Sequence, residues 1–590
     1  MRHSFRTAAV VALAGLMLGG CKKEPKQPEV AEKPANGATP QPAAGANANP
    51  AAPTAATAPQ NPAGCNSDFK EQIKASYTLT EKCSPYTLDH ELSVDGWDLT
   101  IEPGVTVKFA ESGRLSVGWN SDARLTANGT AEKPIAFVSG GRQEPGAWRG
   151  IDLYTHSGGS SLQNVRIENA GRDDNPALEL DGQDLHVKGV TVVASKNLAF
   201  KLGSEARVVE FEANDFSKAG THEVIGSFAF ASLGGIKAAT NKWPEHAVIE
   251  VTDDAAKTDL AIANAGIPYR ILHNVDVDAE EGKTAVVTVA PGVVFQMGED
   301  TRWGFGWNHS GGAKFLGTAA EPIVFTRFGD SPEKGSWKGL AFYDHAKKLD
   351  LEYVKVEFAG TKDDAAISYG KPNSLGKLVH VTVSKAAGSA VNAKQDATTF
   401  EAFSDNTFED VGAPALRFQI EAASNLGANN TLPAGGVIAL EGDVKQDTTL
   451  TAQTAPYQSL GKIDVEGSSE VAPVSLTIQP GATLRFGSDA SIGVGWNNPG
   501  ALIAVGTAEK PITFTAAAGS WKGITIYKGK AQVENAAFEK LADDAAPVTF
   551  RKDTEGDVKA LKLTGLKLPV RDCTEKKLQT NGVKTTTEGC

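Results

Sequence analysis

Nothing in this chain reads as a long helix, a membrane span, or a nucleotide or metal motif. There is no GxxxxGK[ST], no HExxH, and no GxSxG in a strand-turn-helix setting, so phosphate-loop, zinc-helix and nucleophile-elbow chemistries have no starting point. Basic residues do not prevail: 58 Lys and Arg against 71 Asp and Glu leave a formal charge of -13, which argues against a nucleic-acid partner. Histidine is scarce, ten in 590 residues, with none between Ala434 and Cys590.

The longest apolar run, Ala8 to Leu18, is too short to cross a bilayer. Arg2, His3 and Arg6 precede it and "LGGC" closes it, the order of an export signal over residues 1–20. "LGGC" resembles the lipobox of bacterial lipoproteins, which implies lipidation at Cys21, anchorage to the outer membrane and exposure at the cell surface. An ordinary secretory signal with an incidental Cys is the competing reading. Residues 21–64, rich in Pro, Ala, Asn and Gln, cannot bury a core and are expected to form a disordered tether. The remaining cysteines, Cys65, Cys83, Cys573 and Cys590, form two close pairs, most simply the disulfides 65–83 and 573–590, although three connectivities are open. A zinc site is disfavoured by the long loops and the absence of His between the partners.

What the chain does have is repetition. "GTAEKPIAFVS" at Gly129, "GTAAEPIVFTR" at Gly317 and "GTAEKPITFTA" at Gly506 are three versions of one phrase. "PGVTVKF", "PGVVFQM" and "PGATLRF" recur at Pro103, Pro291 and Pro480; "GWN" recurs at Gly118, Gly306 and Gly495; and a "PY" step recurs at Pro85, Pro268 and Pro456. The period of about 190 residues far exceeds a single solenoid unit, so each copy is a module of several smaller turns. The expected boundaries are 65–245, 246–433 and 434–590, the last with a C-terminal disulfide cap.

Inside a copy, stretches such as "VTVKF", "LSVGW", "GIDLY" and "VRIEN" alternate apolar and polar residues between Gly, Asn, Asp and Pro, which is strand-and-turn patterning. Strands recur every 21 to 27 residues or so, about one three-strand coil. The fold class is therefore all-β, a solenoid of three homologous modules with about 22 coils. The phrases "LTIEPGVTVKF", "GTAEKPIAFVS", "GSWKGI" and "LQNVRIENAG" resemble the right-handed parallel β-helix, or pectin-lyase-like, superfamily over roughly Tyr77 to Leu568.

That resemblance brings polysaccharide lyases and hydrolases into view. The hydrolases would imply an Asp pair with a Gly-His-Gly and an Arg-Ile-Lys, and neither accompanying motif is present. The Asp pairs Asp173-Asp174, Asp363-Asp364 and Asp543-Asp544 occur once per copy, as turn residues do, whereas catalysis usually needs one site. Calcium ligation by these six is the competing reading, and no other cofactor is expected. Tryptophan offers a second triplicated feature. Trp148, Trp337 and Trp521 precede Lys or Arg and Gly, while Trp119, Trp307 and Trp496 follow Gly. Such rings either fill coil corners or form sugar-stacking platforms, helped by Tyr154, Tyr343 and Tyr527. "TRWGFGWNHS" makes the second copy the densest patch, adding Trp303 and His309 to the glycan-binding candidates. The expectation is a non-enzymatic surface lipoprotein that binds glycan or an envelope partner. The alternative is a carbohydrate-active lyase or hydrolase.

Overall fold

Alternation in the sequence becomes alternation of burial. In strand Arg124–Asn128, Leu125 and Ala127 are buried while Arg124, Thr126 and Asn128 face outward, and Thr106–Phe109 and Ile135–Ser139 follow the same rule. The computed structural model describes residues 72–590, apart from positions 205, 238–239, 330–331, 372–373, 395–397, 425, 428 and 576–577. Among the described residues there are 55 strands, three short 3-10 turns and no α-helix. Nearly every strand pairs in parallel with its counterpart one coil away, so inward residues stack in columns. Tyr86, Val107, Phe137, Ile167 and Val192 form one such column across five coils. The result is a parallel β-solenoid of about 19 turns, fewer than the 22 expected. Some coils are longer than their strands require: residues 140–149 form a loop between the successive strands Ile135–Ser139 and Gly150–Leu153. At roughly 4.8 Å per coil the stack is on the order of 90 Å long.

Each coil gives one strand to each of three sides, but the sheets on those sides are not equally long. Two contain thirteen strands and five contain five or six. The first long sheet runs from Glu91–Val94 to Thr407–Glu409, and the second from Ala255–Ala256 to Lys562–Thr564. Each passes through a 3-10 turn junction. Val224–Phe228 is followed by the turn Phe230–Gly235 and then pairs with Val248–Val251, while Leu416–Gln419 is followed by Ile420–Ala423 and pairs with Ile438–Glu441. The strand before the first "GWN", Arg114–Val117, thus shares a sheet with Tyr269–Ile271, the "PY" strand of the second copy. Likewise Arg302–Phe305, before the second "GWN", shares a sheet with Tyr457–Ser459. Equivalent strands of successive copies, such as Arg114–Val117, Arg302–Phe305 and Ile492–Val494, thus belong to different sheets.

One hydrophobic cluster extends from Ile73 to Leu578, across both junctions. At the C-terminal end Cys573 and Cys590 are bonded, with sulfurs 2.07 Å apart. Cys83 is also disulfide-bonded, and its expected partner Cys65 lies outside the described residues, as do Cys21, the signal and the tether. Among the described residues no helix is long and apolar enough to cross a membrane.

Candidate functional site

The Gly-Trp-Asn corners are built by the backbone. Gly118, Gly306 and Gly495 all have φ +71°, and a Cβ there would stand 2.4 Å from the His156 carbonyl carbon, 2.3 Å from the Ala346 nitrogen and 1.9 Å from the Lys528 oxygen. Only glycine combines that conformation with so close an approach of the next coil. Each glycine N–H donates to the coil before it, to Val94, Val277 and Val465 at 2.9, 3.0 and 2.9 Å. In the first two copies a carboxylate one coil earlier secures the turn. Asp95 accepts the N–H groups of Asn120 and Ser121, and Asp278 those of Asn308 and His309.

The tryptophan that follows is pushed outward. Trp119, Trp307 and Trp496 are 61%, 57% and 55% exposed, against the norm for so large an apolar ring. Each meets the edge or face of a tyrosine from the next coil: Trp119 and Tyr154 at 4.6 Å and 80°, Trp307 and Tyr343 at 4.5 Å and 87°, Trp496 and Tyr527 at 4.5 Å and 79°. The tyrosine N–H groups are tied to Val117, Phe305 and Val494. The pair is thus a rigid aromatic fixture, copied three times.

A cation and a carboxylate accompany every pair, though not from the same positions. In the first copy Arg114 donates to Glu91 at 2.8 Å and to the Tyr154 hydroxyl at 3.2 Å, and it lies 3.1 Å from Asp152. In the second, Arg302 bonds Asp276 at 2.7 Å and stands 6.0 and 5.6 Å from the ring centres of Trp307 and Tyr343. In the third, position 491 is Ser, and the charge comes from the preceding coil: Lys462 lies 2.7 Å from Asp464, with its ammonium 5.0 Å from Trp496 and 6.0 Å from Tyr527. These distances are within cation–π range. Lys462 also borders a groove of about 500 Å³ lined by Arg417, Leu440, Glu441, Gln458 and Leu460.

Asp152 belongs to the first corner alone, because Ala341 and Thr525 occupy its position in the other copies. It is 1% exposed, and burial pushes its carboxyl up to about 6 against the pull of Arg114; Glu179 and Glu91 add to the rise. Its Oδ2 accepts the Tyr154 hydroxyl at 3.2 Å, and Oδ1 has no hydrogen-bond partner. The Tyr154 hydroxyl is raised by burial and by Asp152, and Tyr343 is raised chiefly by burial.

Trp303 is not part of a surface site. It is 0% exposed, packed among Phe295, Phe325, Phe230, Phe315 and Phe305 with centroids 4.9 to 5.9 Å away. Parity explains the correction: Trp303 occupies the inward position held by Leu115 and Ile492 in the other copies, two residues before an inward Phe or Val. His309 is half-buried in the turn beside Trp307. Trp148, Trp337 and Trp521 are buried as corner fillers, and each indole N–H donates to a carbonyl, of Glu168, Glu357 and Glu539 at 2.7, 2.8 and 3.0 Å. The six aspartates lie in exposed turns or bends. Asp173 has φ +58°, Asp364 bonds Thr361 at 3.0 Å, and Lys567 pairs with Asp543 at 2.5 Å. Among the described residues no three His, Cys, Asp or Glu gather as a metal site would need.

By fold the chain is a parallel β-solenoid protein, carrying three Trp–Tyr corners. No protein-family model matches it, and no curated protein does.

Proposed function

We propose that this is an exported lipoprotein, anchored through Cys21 to the outer membrane, whose solenoid binds glycan through its three Trp–Tyr corners without covalent chemistry. The observation that carries the reading is the threefold corner itself. An exposed Trp braced by Tyr is retained with a cation and a carboxylate beside it, even where the charges have moved to other strands. A sugar offers a C–H face to an aromatic ring and hydroxyls to flanking donors and acceptors, which is the complement of such a corner. An enzymatic site would call for an open carboxyl poised for proton transfer, and the raised carboxyl here, Asp152, is closed off from solvent.

The test is a panel of polysaccharides presented to the full chain in detergent, with and without calcium, scoring retention and chain cleavage together. Retention without cleavage is expected, together with its loss when Trp119, Trp307 and Trp496 are all changed to Ala. Cleavage, or retention indifferent to that triple change, would overturn the reading.

A further inference from the structure

Of the nine tryptophans, Trp148, Trp303, Trp337 and Trp521 are buried and Trp243 is half-buried, its indole N–H donated to Ala265 at 2.8 Å. The other four are exposed. Three of them stand at the Gly-Trp-Asn corners; the fourth is Trp97, 44% exposed and outside the core cluster. It follows Gly96, whose φ of +80° repeats the left-handed step before each corner tryptophan. Register puts Trp97 and Trp119 at one corner. Strand Glu91–Val94 pairs with Arg114–Val117, and Asp98–Ile101 with Arg124–Asn128, so the turns 95–97 and 118–123 are successive coils of the same bend. Asp95 ties the two turns together by accepting the N–H groups of Asn120 and Ser121 at 2.9 and 2.7 Å. Leu153, paired with Val117, brings Tyr154 to this corner on the third coil, against the Trp119 ring. Three successive coils thus carry Trp97, Trp119 and Tyr154, with a rise of roughly 4.8 Å per coil. The turns one coil before the other two corners, 278–283 and 466–473, contain no aromatic residue.

We infer that the first corner is the principal binding site, a platform on which two consecutive units of a neutral β-linked glycan stack, one on Trp97 and one on Trp119, with the glycan running along the solenoid axis. The inference rests on the glycan-binding reading and adds Trp97 to it. An extended β-linked chain advances by about one coil spacing per sugar unit, so rings one coil apart meet neighbouring units. The second and third corners offer one exposed tryptophan each. Once the first unit is seated, the second contact forms within the same complex, and the two reinforce each other. Polar groups suited to sugar hydroxyls lie beside the rings: Asp95 and Asn120 in the two turns, and His156, paired with Asp122 at 3.2 Å, one coil further on. Charge favours a neutral glycan over a polyanion. Arg114 is already shared between Glu91 and Asp152, Asp95 and Asp122 stand at the same corner, and the whole chain carries -13.

The experiment uses the full chain in detergent and a linear neutral β-glucan hexasaccharide, titrated by calorimetry. Three double variants, each with two of Trp119, Trp307 and Trp496 changed to Ala, keep one corner apiece. The chain that keeps the first corner is expected to bind roughly tenfold tighter than the other two, the scale on which one well-packed aromatic anchor acts. Adding Trp97→Ala to it should remove that advantage and leave the thermal midpoint unchanged. Trp97→Phe, which keeps a stacking face, should retain most of it. Affinity unmoved by Trp97→Ala but lost with Trp119→Ala would overturn the two-ring platform and leave the binding reading intact. Equal losses in the Ala and Phe variants, or a first corner no tighter than the others, would overturn it as well. No hexasaccharide binding by the wild type would remove both.

Discussion

Replacing Asp152 by Asn is expected to stabilise the solenoid at neutral pH and to flatten part of its pH profile. The carboxyl is enclosed, and the groups facing it are Arg114 and Glu91 from the preceding coils, Glu179 and Lys201 from the following ones, and Tyr154 on its own strand. Its folded pKa of about 6 lies above the ordinary 3.8. Between those two values the unfolded chain has released the proton and the folded chain still holds it, so stability falls as pH rises from about 4 to 6 and then stays low. The full gap corresponds to about 3 kcal/mol. Asn keeps an acceptor for the Tyr154 hydroxyl but takes one charge partner from Arg114, which retains Glu91. The net gain at pH 7 is then expected at roughly 1–2 kcal/mol. Urea midpoints read by tryptophan fluorescence from pH 4 to 8 provide the assay. The difference between variant and wild type should open between pH 4 and 6 in the variant's favour. Parallel curves across that window, or a variant less stable at pH 7, would show that Asp152 is ionised at little cost and that the account of its burial is wrong.

Trp303→Ala should cost about 3–5 kcal/mol, while Trp307→Ala, four residues away, should leave the melting curve nearly unchanged and reduce only glycan retention; equal melting shifts for the two would contradict the inward and outward assignments. Gly306→Ala should lower stability by more than the 1–2 kcal/mol or so of a left-handed residue, since its Cβ collides with backbone at Ala346, and differential scanning calorimetry should register the shift. Cys573→Ser should open the C-terminal coils, where the chain-entropy model assigns roughly 3 kcal/mol to a loop of this length. Hydrogen exchange should rise in residues 548–590 and stay unchanged around Trp119; uniform exchange along the chain would count against a local clasp.

The fold was legible because its signal is redundant. Alternation in "VTVKF" or "IAFVS" places alternate residues in the core, and three ordered copies of the same phrases make coincidence untenable. Parity also held the information needed to bury Trp303, since aligning "RLSVGW", "RWGFGW" and "SIGVGW" puts Trp303 on Leu115 and Ile492. Its density among aromatic neighbours drew attention instead. The charged partners were beyond reach for a different reason. Lys462 sits on another coil from Trp496 and replaces an Arg missing at position 491, a substitution across a ladder that linear spacing does not reveal. Nor could the repeat announce that equivalent strands of its copies join different sheets, because that depends on which sheet passes through each junction.

The handover of sheets also has a mechanical side. At the first junction the strands Val208–Glu212 and Asp215–Lys218 end their sheets, leaving single bridges from Phe211 to Ile236 and from Asp215 to Lys242. At the second, Ala402–Ser404 and Thr407–Glu409 do the same, with one bridge from Thr407 to Thr431. Within the three segments most coils are stitched to their neighbours by three ladders; at these two planes one complete ladder bears the load. A rod pulled from its ends would part there first, yielding in blocks near the two 3-10 turns while the three segments between them hold. Tension applied at the two ends of the solenoid would thus be released in large steps that keep the coils around each Trp–Tyr pair whole until last.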